Sequence, residues 1–306
     1  MRIIDVRCRV TVKEAGDYFA NTAKQAGRFH FYRTRPLIEE IKSYAKGTME
    51  AFLEEIGEAD IHTAVSVSGQ TPGGIVIGGK PKAARTMSND LMAKLQKENW
   101  GRIIGVAGID AGNVLHNALD EIERCYRLGL RVVFIEPGRS PGCDVDDRRL
   151  YPIYEKCAER DMMLIPQTSG LYAGKNMDCC HPHRLDKVAQ DFPSLRILAG
   201  HGCYPYVREA IILAARNENV FVSPDMYLIQ LGTEEWVKAV NRNFFGFQDQ
   251  FLFGSGFPAV PILPFMKEFW KVPFKEEVLP KILYKNALRA FKLEQDPTFK
   301  KLYAER

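Results

Sequence analysis

The 306-residue chain carries 42 basic and 38 acidic residues, and its formal net charge of +4 is spread along the sequence. Because neither a basic stripe nor an acidic tail stands out, the composition disfavours nucleic-acid binding and predicts a small-molecule partner. A hydrophobic share of 46% over this length is enough for a large core, in one α/β domain or two smaller ones.

Features that would place the chain in a membrane or an oxidising compartment are lacking in the sequence. Neither a secretory signal nor a run of about 18 apolar residues is found, so we expect a cytoplasmic protein without a membrane partner. The seven cysteines are scattered, and the close pair Cys179 and Cys180 is adjacent rather than spaced for zinc, so reduced thiols are expected. The sequence leaves the oligomeric state open, and a homo-oligomer is one of the assemblies it allows.

Apolar, β-rich runs alternate with amphipathic stretches along nearly the whole sequence. The expected strands are "RIIDVRC", "HTAVSVSG", "GRIIGVAGID", "RVVFIEPG", "MMLIPQTSG", "LRILAGHG", "VFVSPDMY" and "QFLFGSGFP". Helical spacing marks segments such as "NVLHNALDEIERCYRLG", "RLYPIYEKCAERD", "HRLDKVAQDFP" and "PYVREAIILAARNE". Eight βα units with nearly continuous apolar strands predict an α/β fold of the (β/α)8 TIM-barrel type, as one domain over residues 1–306.

Two segments interrupt this alternation, and both follow strands on the side where such barrels keep their sites. Residues 11–46 form an insertion rich in aromatic and basic residues, and "GQTPGGIVIGGK" is rich in glycine. We expect both to lie over the mouth of the barrel. The glycine-rich stretch lacks the GKS or GKT ending of a phosphate loop, so nucleotide binding is disfavoured.

Arg7 and Arg9 alternate on the first strand, which places them on one face beside Asp5. Two like charges about 6–7 Å apart in a low-dielectric site repel by several kcal/mol unless an anion lies between them. A carboxylate, an enolate or a phosphate would fit, and the substrate is therefore predicted to be a small anion. Alternatively, the arginines are neutralised internally by Asp5, Glu136 or Asp225.

Other polar residues end the later strands and complete the expected site. Glu136 is a candidate base and His201 a candidate acid or base near neutral pH, with Asp225 as a third catalytic candidate. Gln167 and Tyr227 join the arginines as expected substrate-binding residues. The structural alternatives are that Glu136 pairs with Arg7, that Asp225 caps its loop, that His201 is merely held by hydrogen bonds and that Tyr227 only packs.

A cysteine and two further histidines are weaker candidates for functional residues. Cys203 follows His201 closely, but neighbours at a strand end seldom face each other, which disfavours a Cys-His nucleophile. His181 and His183 are expected to begin a helix rather than to bind metal.

Several motifs together resemble the amidohydrolase-related family, the branch that includes aminocarboxymuconate-semialdehyde decarboxylase and the resorcylate decarboxylases. They are "HRLDKVAQDFPSLRILAGHG", "NVFVSPDMY", "FLFGSGFP" and "KILYKNALRAFKL", with the closing Asn-Ala-x-Arg-x-Phe signature at residues 286–291. The resemblance spans essentially the whole chain. It implies a (β/α)8 barrel with one divalent metal, held by a His-x-His pair on the first strand, a fifth-strand His, often a sixth-strand His, and an eighth-strand Asp.

Position by position, most of that ligand set is replaced in this sequence. Arg7 and Arg9 stand at His-x-His, Gln167 at the fifth-strand His and Gly256 at the Asp, while His201 is kept. A guanidinium has no free lone pair, and one imidazole with one amide oxygen falls short of three protein ligands. We therefore expect no metal cofactor and a base other than the eighth-strand Asp.

Three functions remain open at this stage. The first is a metal-independent hydrolase of a small cyclic or aromatic carboxylate. The second is a carboxy-lyase (decarboxylase) or hydratase of the same family. The third is a non-catalytic barrel that binds small anions. The fold does not decide among them.

Overall fold

The computed structural model describes residues 2–16, 18, 41–74, 76–77, 80–172, 174, 176–229 and 232–304. Most of its strands belong to one parallel system, in chain order. They are β1 (Ile3–Cys8), β2 (Ile61–Ser66), β3 (Ile103–Gly105 and Ala107–Gly108), β4 (Val132–Ile135), β5 (Met163–Pro166), β6 (Ile197–Gly200) and β7 (Val220–Ser223). Each lies within one of the predicted runs, except that β2 begins one residue earlier, at Ile61.

An eighth segment, residues 251–253, closes this system into a barrel. Neighbouring strands pair in parallel from β1 to β3 and from β3 to β7. In the eighth segment, the Leu252 amide donates to the Val222 carbonyl at 2.9 Å, and the Val6 amide donates to the Phe253 carbonyl at 3.1 Å. The last predicted strand therefore lies between β7 and β1, and the predicted TIM barrel is confirmed.

Helices follow the strands in the alternation that the sequence predicts. They are Lys42–Lys46, Met49–Gly57, Asn89–Glu98, Ala118–Arg127, Tyr151–Glu159, Pro182–Asp191, Val207–Arg216, Thr233–Asn241, Ile262–Phe269, Asn286–Ala290 and Pro297–Leu302. Local chemistry fixes several starts: Ser88 and Asn117 accept backbone N–H groups of the first turn. His181 caps the helix that begins at Pro182, as expected.

The core has an inner and an outer part, and the chain's C-terminal signature stabilises the barrel closure. Val6, Phe134 and other strand residues pack in one cluster with the C-terminal helices, while a larger cluster includes strand and surrounding helix residues. Asn286 donates to the carbonyls of Gln248 and Phe251 at 2.8 and 2.9 Å. Asn286 therefore anchors the start of the eighth segment and is a structural residue.

The glycine-rich stretch forms a short antiparallel hairpin after β2. Its strands are Val76–Ile77 and Lys80–Pro81, and Thr71 and Arg85 bridge at its base. Most of the 11–46 insertion, residues 17 and 19–40, lies outside the described residues. Over the described ranges, no helix is long and apolar enough to cross a bilayer.

Candidate active site

Arg7 extends from β1 to the far wall of the barrel and lies between two glycines. Its side chain is fully buried. A Cβ atom added at Gly200, the last residue of β6, would lie 2.8 Å from Arg7 Cζ. One added at Gly254, just past the eighth segment, would lie 2.9 Å from Arg7 Cβ. Neither distance is tolerable for a carbon–carbon contact, so both glycines are needed for the Arg7 side chain to occupy this position.

The Arg7 guanidinium contacts both His201 and Asp225. Arg7 Nε lies 3.2 Å from Asp225 Oδ2, and Arg7 Nη2 donates to His201 Nε2 at 2.6 Å. His201 Nδ1 in turn lies 2.7 Å from the same Asp225 Oδ2. We name this trio the Arg7–His201–Asp225 cluster. All three side chains are buried, so they interact in a medium where charge–charge forces are strong.

This geometry determines the protonation of His201. A guanidinium only donates hydrogen bonds, so His201 Nε2 must accept, and the ring proton resides on Nδ1, facing Asp225. Burial lowers the pKa of His201 to about 4, against the opposing effect of Asp225 and with a contribution from Arg7. The ring is therefore neutral at pH 7, which differs from the titration near neutrality expected from the sequence. Its catalytic role stays a prediction.

The backbone that presents these side chains is strained. His201 and Asp225 have φ angles of +66° and +45°, and Cys203 has +53°. Left-handed backbone costs a non-glycine residue on the order of 1–3 kcal/mol and persists where the surrounding structure enforces it, commonly at functional sites. The loops that follow β6 and β7 thus hold His201 and Asp225 against Arg7 at a conformational cost.

Asp225 and Arg9 show how strongly cationic this part of the mouth is. Burial by itself would raise the pKa of Asp225, but His201, Arg7 and Arg9 hold that pKa below its ordinary value. Burial, Arg7 and Arg85 lower the pKa of Arg9 to about 9. Arg9 therefore stays protonated at pH 7, in surroundings that disfavour a further positive charge.

Glu136, just past β4, is held by two arginines that the sequence reading missed. Its Oε1 lies 3.0 Å from Arg85 Nη2 and its Oε2 lies 3.1 Å from Arg139 Nη1. Burial opposes ionisation, yet Arg85 and Arg139 together lower the pKa of Glu136. Glu136 is therefore a stable carboxylate in an ion network. The alternative that it pairs with Arg7 was wrong, because Arg7 pairs with Asp225.

These two arginines connect the peripheral loops to the barrel. Arg85 ends the glycine-rich hairpin, and its guanidinium carbon lies 4.8 Å from the centroid of the Tyr18 ring. Arg139 donates to the Ala83 carbonyl at 2.9 Å and to the Tyr18 hydroxyl at 3.4 Å. Tyr18 belongs to the 11–46 insertion, so at this residue the insertion reaches the mouth. Arg139 follows Glu136 by three residues in the sequence, and this spacing could have indicated their ion pair.

Gln167 contacts the ion network around Glu136, and Tyr227 contacts the Arg7–His201–Asp225 cluster. Gln167 donates to Glu136 Oε1 at 3.4 Å and accepts from the Ser169 amide at 3.1 Å. The Tyr227 hydroxyl lies 3.0 Å from Ser169 Oγ, and its ring meets the His201 ring edge-on at 5.4 Å. The structure thus brings every predicted site residue to the mouth, although their roles stay predictions.

Three alternatives raised from the sequence receive a structural answer. Asp5 does not neutralise an arginine side chain, because its carboxylate accepts from the Arg7 and Ser255 amides and from Ser255 Oγ. Asp225 forms the ion pair with Arg7 rather than acting as a helix cap. Burial raises the pKa of Cys203 to about 12, so its thiol is not ionised at neutral pH.

The residues at the family's metal-ligand positions do not fit a metal ion. The Nε2 lone pair of His201 accepts from Arg7, and the Gln167 amide is engaged with Glu136 and Ser169. Gly256 has no side chain, and its φ of +80° disfavours any replacement. In the part of the chain that the structure describes, no three or more His, Cys, Asp or Glu side chains are grouped to hold a metal.

The fold and the polar mouth define a TIM-barrel protein with its site at the carboxyl ends of the strands. The family model described as "Amidohydrolase" matches residues 27–293. The chain therefore belongs to the amidohydrolase family, and the resemblance read from its motifs is confirmed. Family members are enzymes, both decarboxylases and hydrolases. A search of curated proteins finds no match.

Solved structures of related barrels cover nearly the whole chain. An uncharacterised TIM-barrel protein from Bordetella bronchiseptica is 29% identical, over 95% of this chain and 99% of that one, with a TM-score of 0.79. A 2,6-dihydroxybenzoate decarboxylase from Rhizobium is 16% identical (96% and 100% covered, TM-score 0.66). A probable 2-pyrone-4,6-dicarboxylic acid hydrolase from Acinetobacter baumannii is 12% identical (95% and 100%, TM-score 0.62). The last two likenesses show the shared fold.

A methyl group at Gly200 should displace Arg7. In Gly200→Ala the new carbon would lie 2.8 Å from Arg7 Cζ and Nη1, so we expect the Arg7–His201 hydrogen bond to break. A crystal structure of the variant would show this, and NMR of the His201 ring nitrogens should report a raised pKa because Arg7 no longer opposes protonation. Gly57→Ala is the control, since nothing lies within 4 Å of a Cβ there. An unmoved Arg7 in Gly200→Ala would contradict the assignment.

His201 should make the protein lose stability as the pH falls from about 6.5 to about 4. Its pKa is about 4 in the folded chain, against a reference value of 6.5, so within this window the unfolded chain binds more protons. We expect a loss on the order of 1–3 kcal/mol in the free energy of unfolding. Urea titrations at pH 7, 6 and 5 measure it. His201→Gln should flatten this dependence, whereas His62→Gln should retain it. Equal slopes in all three proteins would refute the assignment.

Proposed function

We propose that the chain is a metal-independent hydrolase of small cyclic or aromatic carboxylates. The observation that carries this proposal is the Arg7 guanidinium, which donates to His201 Nε2 and to Asp225 Oδ2 at the mouth. A fixed guanidinium supplies a permanent positive charge but no coordination chemistry. In this proposal, Arg7 supplies the positive charge that a metal ion would contribute at the mouth, but it does not activate a metal-bound water.

Recognition of an anion is supported by one buried donor and its cationic surroundings. The Nε–Nη2 edge of Arg7 serves Asp225 and His201, while Nη1 is buried and has no hydrogen-bond partner among the residues described. Leaving a buried donor unsatisfied costs about 1–3 kcal/mol. A substrate carboxylate at Nη1 would satisfy it, and the nearby charges of Arg9 and Arg85 would add attraction.

The catalytic residues we propose are Glu136, His201 and Asp225, with Arg7, Arg9, Gln167 and Tyr227 binding the substrate. Two carboxylates and a neutral imidazole at one mouth offer a base and hydrogen-bond acceptors for acyl chemistry. Because Glu136 forms buried ion pairs with Arg85 and Arg139, it also contributes to holding the two arginines in place.

Decarboxylation is the second candidate function. Arg7 and Arg9, which would bind a substrate carboxylate in a hydrolase, would equally orient a carboxylate that leaves as CO2. Structural neighbours with names of both kinds, a dihydroxybenzoate decarboxylase and a pyrone dicarboxylic acid hydrolase, share the fold. An anion-binding barrel without chemistry is the third candidate, and turnover measurements separate it from the other two.

The protein should hold less than about one-tenth of an equivalent of zinc, manganese or iron after dialysis, because its ligand set does not suit a metal. Elemental analysis measures this content. With 2-pyrone-4,6-dicarboxylate and 2,6-dihydroxybenzoate as probes, turnover should persist in the presence of a chelator. Ring opening without CO2 release indicates hydrolysis, and CO2 release indicates decarboxylation. Stoichiometric metal, or activity abolished by chelation, would contradict metal independence.

Arg9→Met should reduce anion affinity, whereas Arg7→Met should reduce stability. Arg9→Met should weaken benzoate binding at least tenfold while the melting temperature changes by only a few degrees. Arg7→Met leaves Asp225 buried without its ion-pair partner, so it should cost about 3–5 kcal/mol of stability. Calorimetric titration and thermal unfolding measure the two effects, with exposed Arg149→Met as the control. Unchanged benzoate affinity in Arg9→Met would remove Arg9 from the anion site.

A further inference from the structure

The two carboxylate oxygens of Asp225 differ in their contacts with the described protein. Oδ2 receives Arg7 Nε and faces His201 Nδ1, at 3.2 and 2.7 Å. Oδ1 is buried, and no hydrogen-bond partner for it is found within the described ranges. The Asp225 side chain is fully buried. A buried carboxylate oxygen without a donor is costly, so a donor from outside the described protein is expected at this atom.

The donor at Oδ1 must carry a proton, which restricts what it is. A substrate carboxylate cannot donate and would be repelled by Asp225. Water and substrate groups that bear O–H or N–H remain. Ser223, two residues before Asp225, also has a buried hydroxyl without a partner in the described chain, so the unsatisfied polar atoms are not confined to one residue of this loop.

We propose that Asp225 Oδ1 holds and deprotonates the water that attacks the substrate. The inference rests on the proposed hydrolytic function and deepens it by assigning the base. It makes Asp225 the catalytic residue for proton transfer. Arg7 donates to the opposite oxygen, Oδ2, and His201 Nδ1 lies 2.7 Å from that oxygen, so both residues fix the orientation of the carboxylate.

The step balances without any further reactant. The water oxygen forms a bond to the acyl carbon while its proton passes to Asp225 Oδ1 and the carbonyl electron pair moves to the carbonyl oxygen. The C=O bond then reforms, the acyl C–O or C–N bond breaks, and the leaving oxygen or nitrogen takes the proton from Asp225. Asp225 thereby returns to its ionised form, which Arg7 and Arg9 stabilise.

The first test is structural and needs no substrate. In a crystal structure at about 1.5 Å, grown without carboxylate buffers, we expect an ordered water within about 3.2 Å of Asp225 Oδ1. A protein group bonded to Oδ1 in place of water would overturn the proposal. This result tests the water site independently of turnover: a missing water overturns the proposal, whereas a water in place without turnover of any probe shows that the proposed function fails.

The second test uses a probe that the enzyme hydrolyses, with 2-pyrone-4,6-dicarboxylate tried first. Asp225→Asn keeps the shape of the side chain and removes the base, so kcat should fall at least a hundredfold with KM changed by only a few fold. Asp186→Asn, at a surface ion pair, is the matched control and should retain activity. Turnover of Asp225→Asn within a few fold of the wild type would overturn the proposal.

Isotope labelling separates a base from a nucleophile. In a single turnover in 18O-labelled water, the label should enter the product carboxylate and not the Asp225 side chain, as read by peptide mass spectrometry. Label on Asp225 would show that the carboxylate itself attacks, which refutes its role as a base. Release of CO2 without hydrolysis would refute the water site while leaving the chain an enzyme.

Discussion

The buried pair of Arg7 and Asp225 is the interaction on which the rest of the mouth depends. An arginine in a barrel interior is tolerated only when its charge is compensated, and Asp225 provides that compensation at 3.2 Å. Neighbouring residues accommodate this pair. Gly200 and Gly254 leave room for the Arg7 side chain, and left-handed backbone at His201 and Asp225 directs their side chains toward Arg7. Removing one member of this arrangement leaves the others strained or unpaired.

A guanidinium and a metal ion can both supply positive charge at this position, but they impose different chemistry. A metal needs lone pairs from its ligands, whereas Arg7 consumes the lone pair of His201 and leaves the ring neutral. The pKa of His201, about 4, follows from burial and from the nearby arginine. Arg7 thus gives the mouth a fixed positive charge and offers no lone pair to a metal ion.

The second ion network, around Glu136, has a different physical role. Arg85 and Arg139 come from two different loops, and both bind the same carboxylate. Tyr18 contacts both arginines, so three separate loop segments converge on Glu136. A buried carboxylate shared by two cations stays ionised, which suits a residue that holds loops around a site.

The sequence by itself determined the barrel and the strand-end residues at its mouth, but it did not reveal Arg85 and Arg139. Period-two and helical spacing are local properties, so the strand runs, the helices and the residues at strand ends could be read directly. The side-chain partners could not, because β1, β6 and β7 meet only through the closed barrel. Arg7 pairs with Asp225 and not with Asp5 or Glu136. Glu136 pairs instead with Arg85 and Arg139. Burial lowers the pKa of His201, so its ring does not titrate near neutral pH. Those outcomes depend on distances between residues up to 218 positions apart, which only the tertiary structure decides.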